Sequence, residues 1–148
     1  MITKTATSLL ATIVGLGTIT PVPAAELVLH FSGVEQGKGP IKIEILDETR
    51  ADQFLDSTNT SGAKLVSVPA DQPPYSVKVE VPNGRYAVSA FQDLRRLGKI
   101  DLSGPYGRPA EPWGISNNAK PAMRAPDFAD AAFTVGDGVT VKTIDLGM

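Results

Sequence analysis

The chain has 148 residues, among them 14 Lys and Arg, 16 Asp and Glu, and its formal charge is -2. It contains no cysteine, which excludes disulfides, thiolate metal sites, cysteine nucleophiles and haem attachment. The basic residues are scattered, with Arg95-Arg96 as the densest point, whereas nucleic-acid binding needs a clustered basic face. We therefore expect one domain that binds no nucleic acid.

The first two dozen residues have the pattern of a secretory signal peptide. Lys4 supplies a short positive region, residues 8–20 form an uncharged apolar run, and Val22-Pro23-Ala24 places small residues before a cleavage site. The run is shorter than the roughly 20 residues that a membrane-spanning helix takes. We predict a Sec-type signal peptide over residues 1–24, one β-sandwich domain over residues 25–148, and a periplasmic or secreted bacterial protein without a membrane span after cleavage.

Two early segments alternate between apolar and polar residues, which is typical of half-buried strands. Residues 26–32 place Leu27, Leu29 and Phe31 on one face, and residues 41–47 repeat the pattern. A glycine-rich stretch separates the two segments, so we expect them to pair as neighbours in a meander. A third, shorter strand is predicted over residues 64–68.

Residues 48–55 lack this alternation. Thr49, with Asp52 three residues later, predicts a capped helical turn. Phe54 and Leu55 would then pack against the edge of the sheet.

The clearest strand covers residues 75–81 and is followed by Pro82-Asn83-Gly84, a turn whose residues tolerate positive φ. Residues 85–91 are expected to return antiparallel to it, as a central strand with apolar residues on both faces. Tyr86 follows the turn directly, and we predict that its hydroxyl ties the loop to the sheet as a tyrosine corner.

The rest of the chain is irregular up to residue 112, because glycines and prolines forbid a long regular element there. A brief helical turn over residues 126–130, a strand over 131–135, a tight hairpin turn at 136–138 and a last strand over 139–146 follow. About seven strands at this spacing predict an all-β fold: an antiparallel β-sandwich, immunoglobulin-like or transthyretin-like, with one long irregular loop.

The candidate binding site is the loop that contains Trp113, Ser116, Asn117 and Asn118. Trp113 is the only tryptophan, and strand periodicity explains little of the surrounding sequence. In one interpretation the Asn side chains hydrogen-bond to their own backbone and hold a compact loop in unusual φ/ψ. In the other, the indole and the two amides form a surface that recognises a sugar or a peptide. The sequence favours the first, because Asx turns are common.

Three motifs resemble an exported bacterial family, domain-of-unknown-function family 2141. They are NGRYAV at residues 83–88, WGISNNA at residues 113–119 and FADAAF at residues 128–133. The resemblance covers essentially the whole chain after the signal segment. It implies a sandwich similar to transthyretin and peptidase-regulatory domains, and it implies no particular reaction, because the family has no established activity.

Many members of that family carry an acidic, Asn- and Gly-rich segment after the Y-A-V strand that resembles a calcium loop. In this chain Asp93 and Asp101 remain at its ends, while Leu94, Arg95, Arg96 and Leu97 stand in place of oxygen ligands. Calcium takes about 6–8 oxygen ligands. The sequence therefore predicts no metal site and no cofactor, with Asp93 and Asp101 as weak metal candidates only.

No catalytic residue is predicted. His30 is the only histidine and lies on an outward strand position, and no G-x-S-x-G nucleophile motif occurs. We expect a monomeric, non-enzymatic binding or structural module of the cell envelope, with an unknown envelope ligand or protein as its partner. The alternative is a carboxylate-dependent hydrolase or lyase acting on envelope polymers, which requires carboxylates such as Asp93, Asp101 and Asp127 to converge in a pocket.

Overall fold

Eight β-strands form the framework of the part of the chain that the structure describes. The computed structural model describes residues 24–147, together with residues 15, 17–19 and 21, so the predicted signal segment lies mostly outside the described residues. The strands are β1 (Ala24–Ser32), β2 (Ile41–Asp47), β3 (Lys64–Val68), β4 (Ser76–Pro82), β5 (Gly84–Gln92), β6 (Trp113–Ile115), β7 (Phe133–Val135) and β8 (Val139–Asp145). The short helices are α1 (Phe128–Ala131) and the 3-10 turns Glu48–Gln53, Pro105–Gly107 and Ser116–Asn118. The prediction of an all-β fold is confirmed.

The strands form two sheets. Sheet A has the order β4-β1-β8, and sheet B has the order β3-β2-β5-β6, with β7 also paired to β5. Every pair is antiparallel except β1 with β8, which run parallel. The expectation of an antiparallel sandwich of about seven strands is therefore modified by one parallel pair and one additional strand.

The inner faces of the two sheets share one hydrophobic core. The alternation of β1 and β2 directs their aliphatic residues into it, because successive side chains of a strand point to opposite faces. Its fully buried members include Leu27, Leu29, Ile41, Val88 and Ile144, each 0% exposed. The predicted inward faces of these strands are confirmed.

The predicted meander of β1 and β2 is wrong, because the two strands belong to different sheets. Residues 33–40 carry the chain across the sandwich and are held by the buried side chain of Gln92. Its amide nitrogen donates to the carbonyl oxygens of Glu35 (2.7 Å) and Gly39 (2.9 Å), and its oxygen accepts from the backbone N–H of Glu35 (2.8 Å). The alternation of apolar and polar residues indicates which face of a strand is buried, but it does not indicate which strand pairs with it.

Two further turns that were predicted to close hairpins also cross between sheets. β4 lies in sheet A and β5 in sheet B, and the turn at residues 136–138 likewise leads from β7 in sheet B to β8 in sheet A. The two crossings touch, since the amide of Asn83 donates to the carboxylate of Asp137. The tyrosine corner is confirmed: the Tyr86 hydroxyl donates to the carbonyl oxygen of Pro82 at 2.8 Å.

The outer face of sheet B is partly covered by a second layer of short helices. The helical turn predicted after β2 is present, but its cap is Asp47 rather than Thr49, because the Asp47 carboxylate accepts the backbone N–H of Thr49 at 2.9 Å. Phe54 packs edge-to-face on Phe128 of α1, with ring centroids 6.1 Å apart. This layer closes a second, smaller apolar cluster, which contains Leu46, Ala87, Ile115, Phe128 and Ala131. None of the helices in the described residues has the length and hydropathy to span a bilayer.

Candidate functional site

Asn117 ties the loop after β6 to both sides of the sandwich. It has a φ of 63°, in the left-handed region that Asn tolerates better than most residues. Its amide nitrogen donates to the carbonyl oxygens of Asp130 (3.1 Å) and Ala132 (2.9 Å), just before β7. Its oxygen accepts from the ammonium group of Lys142 on β8 at 2.9 Å. All the polar atoms of this side chain therefore bond within the protein.

Asn118 forms hydrogen bonds with β8 at the free edge of sheet A. Its amide nitrogen donates to the carbonyl oxygen of Thr143 (3.3 Å), and its side-chain oxygen accepts from the backbone N–H of Asp145 (2.9 Å). One residue of a parallel neighbouring strand would make this same pair of bonds. The amide thus replaces a missing strand beside β8 and covers part of an otherwise open edge.

Ser116 fills a gap in sheet B. β6 pairs with residues 89–91 of β5 and β7 pairs with residues 84–86, which leaves β5 without a strand neighbour between them. The Ser116 hydroxyl accepts from the backbone N–H of Val88 at 3.0 Å and donates to the carbonyl oxygen of Ala131. Ser116 is 0% exposed, so it satisfies buried polar groups that strand pairing leaves open.

The polar members of the predicted binding loop are thus bonded to their own chain. Ser116, Asn117 and Asn118 join β5, α1 and β8, and Asn117 also bonds to Ala132, just before β7. The two Asn side chains bond to distant backbone groups and not to their own backbone as in an Asx turn. Trp113 is half-buried, whereas Asn117 and Asn118 are exposed even though their side-chain polar atoms are bonded. A binding role for this loop stays a prediction, in which the indole of Trp113 would supply the aromatic surface.

Trp113 lies in a row of side chains on the outer face of sheet B. The strand register places it opposite Phe91, and Phe91 opposite Lys42. The next row holds Glu44 and Ser89. All five side chains are half-buried, and they lie beside the part of sheet B that the helical layer covers. We call this set, Lys42, Glu44, Ser89, Phe91 and Trp113, the aromatic face.

Glu44 is the ionisable group at the centre of the aromatic face. One of its carboxylate oxygens accepts from the Ser89 hydroxyl at 3.3 Å, while the other is buried and has no hydrogen-bond partner among the described residues. Burial raises the pKa of Glu44 above its ordinary value, opposed by the Ser89 hydrogen bond and reinforced by the charge of Asp56. The face therefore combines aromatic surface with one carboxylate, one ammonium and one hydroxyl group.

The weak metal candidates Asp93 and Asp101 are engaged in organising their own loop. Asp93 is 2% exposed and accepts the backbone N–H groups of Leu97 (2.8 Å) and Gly98 (2.9 Å). Asp101 forms an ion pair with Arg95 at 2.6 Å. Hydrogen bonds from Ser103, together with the charge of Arg95, lower the pKa of Asp101. Among the residues that the structure describes, no group of three or more His, Asp or Glu is placed to hold a metal ion.

Asp127, the third carboxylate of the hydrolase alternative, begins α1. It accepts the backbone N–H of Asp130 at 3.1 Å, and Asp130 accepts that of Asp127 at 2.9 Å, which is a capping box. Arg124 forms a bidentate ion pair with Asp130 (2.6 and 2.8 Å) and lowers the pKa of Asp130.

His30 is exposed on the outer face of sheet A, opposite Ser76 and Thr143. Each of these groups therefore has a local partner or faces solvent.

Glu111 is a buried carboxylate that the sequence analysis missed. It is 1% exposed and accepts the backbone N–H groups of Arg95 (3.2 Å) and Asp101 (3.3 Å). A lone Glu between Ala110 and Pro112 gives no periodic signal in the sequence. Its burial becomes apparent only in the folded structure of the loop. Together with Asp93, it stabilises the loop of residues 93–112 by accepting backbone N–H groups in the loop's interior.

An open cavity of about 600 Å³ lies at the end of the sandwich where β2 ends and β5 begins. On its walls Arg85 forms an ion pair with Glu48 at 2.7 Å, and the ammonium group of Lys64 donates to the backbone carbonyl oxygen of Glu80 at 2.7 Å. The residues that line it include none of the predicted site residues.

Comparison with curated proteins and with solved structures finds no match for this chain. A family model described as "Uncharacterized protein conserved in bacteria (DUF2141)" matches residues 29–143, more than half of the chain. The match runs from the middle of β1 into β8 and includes the Tyr86 corner and the Ser116–Asn118 segment. The chain therefore belongs to this conserved bacterial family, as its three motifs predicted.

Proposed function

We propose that the protein is an exported, non-catalytic binding module of the bacterial cell envelope, and that the aromatic face binds a glycan. The main support is that Trp113 is only half-buried and lies beside Phe91, while the polar side chains of the same loop form hydrogen bonds within the protein. An aromatic plate bordered by a few polar groups is the usual composition of a sugar site. Lys42, Glu44 and Ser89 supply those groups.

Export is supported by Lys4, the apolar run at residues 8–20 and the small residues before Ala25. The experiment is to express the full chain in a bacterial host, separate the periplasmic and cytoplasmic fractions, and measure the intact mass. We expect a periplasmic protein that begins at Ala25. A full-length protein retained in the cytoplasm would refute the envelope assignment.

Binding can be followed through Trp113, because it is the only tryptophan in the chain. Muramidase-released peptidoglycan fragments and N-acetylglucosamine oligomers would be titrated against the exported protein while its emission is recorded. We expect a saturable shift with at least one of these glycans. Sedimentation with insoluble peptidoglycan supplies the matched comparison: Trp113→Ala should lose binding, and Tyr106→Ser, which alters a fully exposed aromatic residue elsewhere, should retain it. If both variants bound peptidoglycan equally well, the aromatic face would not be the binding site.

The absence of catalysis is tested separately. Envelope glycans incubated with the protein should be recovered unchanged by mass spectrometry. If fragments were released and Asp101→Asn abolished their release, the hydrolase alternative would replace the binding module.

A further inference from the structure

Residues 94–109 form a loop with an unusual distribution of polar and apolar groups. Its interior is polar, because the buried carboxylates of Asp93 and Glu111 accept four of its backbone N–H groups. Three of its large apolar side chains point outward instead: Tyr106 is 101% exposed, Leu97 53% and Leu102 50%. Leu94 and Ile100 are half-buried. This is the reverse of the usual arrangement, in which large apolar side chains are buried and carboxylates face water.

The same loop is strongly basic in an acidic protein. It contains Arg95, Arg96, Lys99 and Arg108 against the single acidic residue Asp101, for a formal charge of +3. The whole chain has a formal charge of -2, so the rest of the molecule is acidic. All four basic residues are exposed. Cationic groups interleaved with Leu and Tyr are typical of segments that lie in the headgroup region of an anionic membrane.

We propose that residues 94–109, the basic loop, dock the protein on the surface of an anionic phospholipid bilayer. Leu97, Leu102 and Tyr106 enter the interface between headgroups and acyl chains, and Arg96, Lys99 and Arg108 contact the lipid phosphates, while Arg95 stays paired with Asp101. The buried carboxylate frame fixes the loop in this shape before contact, so little conformational entropy is lost on docking. Two copies of the loop repel each other, which disfavours a symmetric loop-to-loop dimer as the occupant.

This docking differs from glycan binding by the aromatic face, and each can be refuted without the other. Because the chain has no cysteine, a single introduced thiol carries a polarity-sensitive fluorophore to one place. Ser103→Cys places it in the basic loop, next to Leu102, and Ser57→Cys places it in the polar loop at the other end of β2; both positions are exposed. The protein is recovered from a host that expresses the full chain, and intact mass establishes that both labelled proteins have the same N-terminus.

With vesicles of phosphatidylcholine and phosphatidylglycerol, we expect the label at position 103 to shift to the blue and the label at position 57 to stay unchanged. With phosphatidylcholine alone, neither label should respond. Each basic residue near an anionic surface strengthens the partition about fivefold, so Arg96→Gln with Lys99→Gln should weaken it about 25-fold. The matched control, Lys78→Gln with Lys120→Gln, removes the same charge elsewhere and should change it little.

Several outcomes would overturn the proposal. The loop would have no membrane role if position 103 gave no response to anionic vesicles, or if both labels responded equally. If the label at position 103 shifted equally with vesicles of phosphatidylcholine alone, anionic lipid would not be the partner. A shift at position 103 that follows protein concentration without any vesicles would identify a second copy of the chain as the occupant.

Discussion

Replacing Ser116 by Ala removes the hydroxyl that joins β5 to the end of α1 inside sheet B. In the wild type this hydroxyl accepts the backbone N–H of Val88 at 3.0 Å and donates to the carbonyl oxygen of Ala131. In the variant both backbone groups remain buried, because the site is 0% exposed and lies between β6 and β7. The substitution therefore separates a hydrogen-bonding role of Ser116 from a purely packing role.

A buried donor left without a partner costs about 1–3 kcal/mol. Here one N–H and one carbonyl group lose the same partner, so we expect Ser116→Ala to lower the free energy of unfolding by about 2–3 kcal/mol. Small domains are stable by only about 5–15 kcal/mol. The loss corresponds to a fall of roughly 10 °C in Tm for a domain of this size.

The assay is urea unfolding of the purified protein, followed by the fluorescence of Trp113 and independently by circular dichroism. Coincident transitions would justify two-state analysis. Ser57→Ala is the matched control, because Ser57 is exposed in the polar loop that follows the helical turn after β2; its effect should stay within about 0.5 kcal/mol. A loss below about 0.5 kcal/mol for Ser116→Ala would refute the argument that its hydroxyl satisfies these two backbone groups.

Three other predictions concern single hydrogen bonds and one ionisation. Tyr86→Phe should lower the free energy of unfolding by about 1 kcal/mol, since the 2.8 Å bond to Pro82 is lost, and an unchanged urea midpoint would contradict the corner. Asn118→Ala should also lower it by about 1 kcal/mol and speed amide hydrogen exchange at Asp145 selectively; uniform exchange rates would contradict its role at the edge. Glu44→Gln should stabilise the protein at neutral pH, because the raised pKa of Glu44 means that folding favours its protonated form. That preference is fully present below the ordinary pKa of 4.5 and lost as pH rises through the folded pKa, so the advantage of Gln should vanish in urea titrations below pH 4.5.

The positions of the strands could be predicted from the sequence, but their partners could not. Alternation in β1 and β2 reported which side chains are buried, and these side chains do line the shared core. The same alternation is compatible with any neighbour, and the short turns at residues 82–84 and 136–138 suit a hairpin as well as a crossing between sheets. Only the first of these turns carried a signal for a crossing, namely Tyr86, whose hydroxyl bonds to the carbonyl oxygen of Pro82 at the corner of the sandwich.

The candidate site was predictable only in part, for a related reason. Trp113 and the Asn pair stood out as residue types, but the distant backbone groups to which Asn117 and Asn118 bond could not be identified from the sequence. Phe91 and Glu44 were missed as members of a surface, because they join Trp113 only through the register of three strands. Glu111 was missed because its partners are backbone groups, which the identities of neighbouring residues do not reveal.

The parallel pairing of β1 with β8 has a consequence for the order in which the protein folds. Ser32 and Asp145, at the paired ends of these strands, are separated by 113 positions in the chain. Contacts at such separation form slowly, because the entropy of closing the intervening loop is lost before the contact stabilises anything. Sheet B needs only strands that precede β8, whereas sheet A is incomplete until β8 has been synthesised. A growing chain therefore leaves the sheet-A side of its core exposed to solvent until its last described strand has been synthesised.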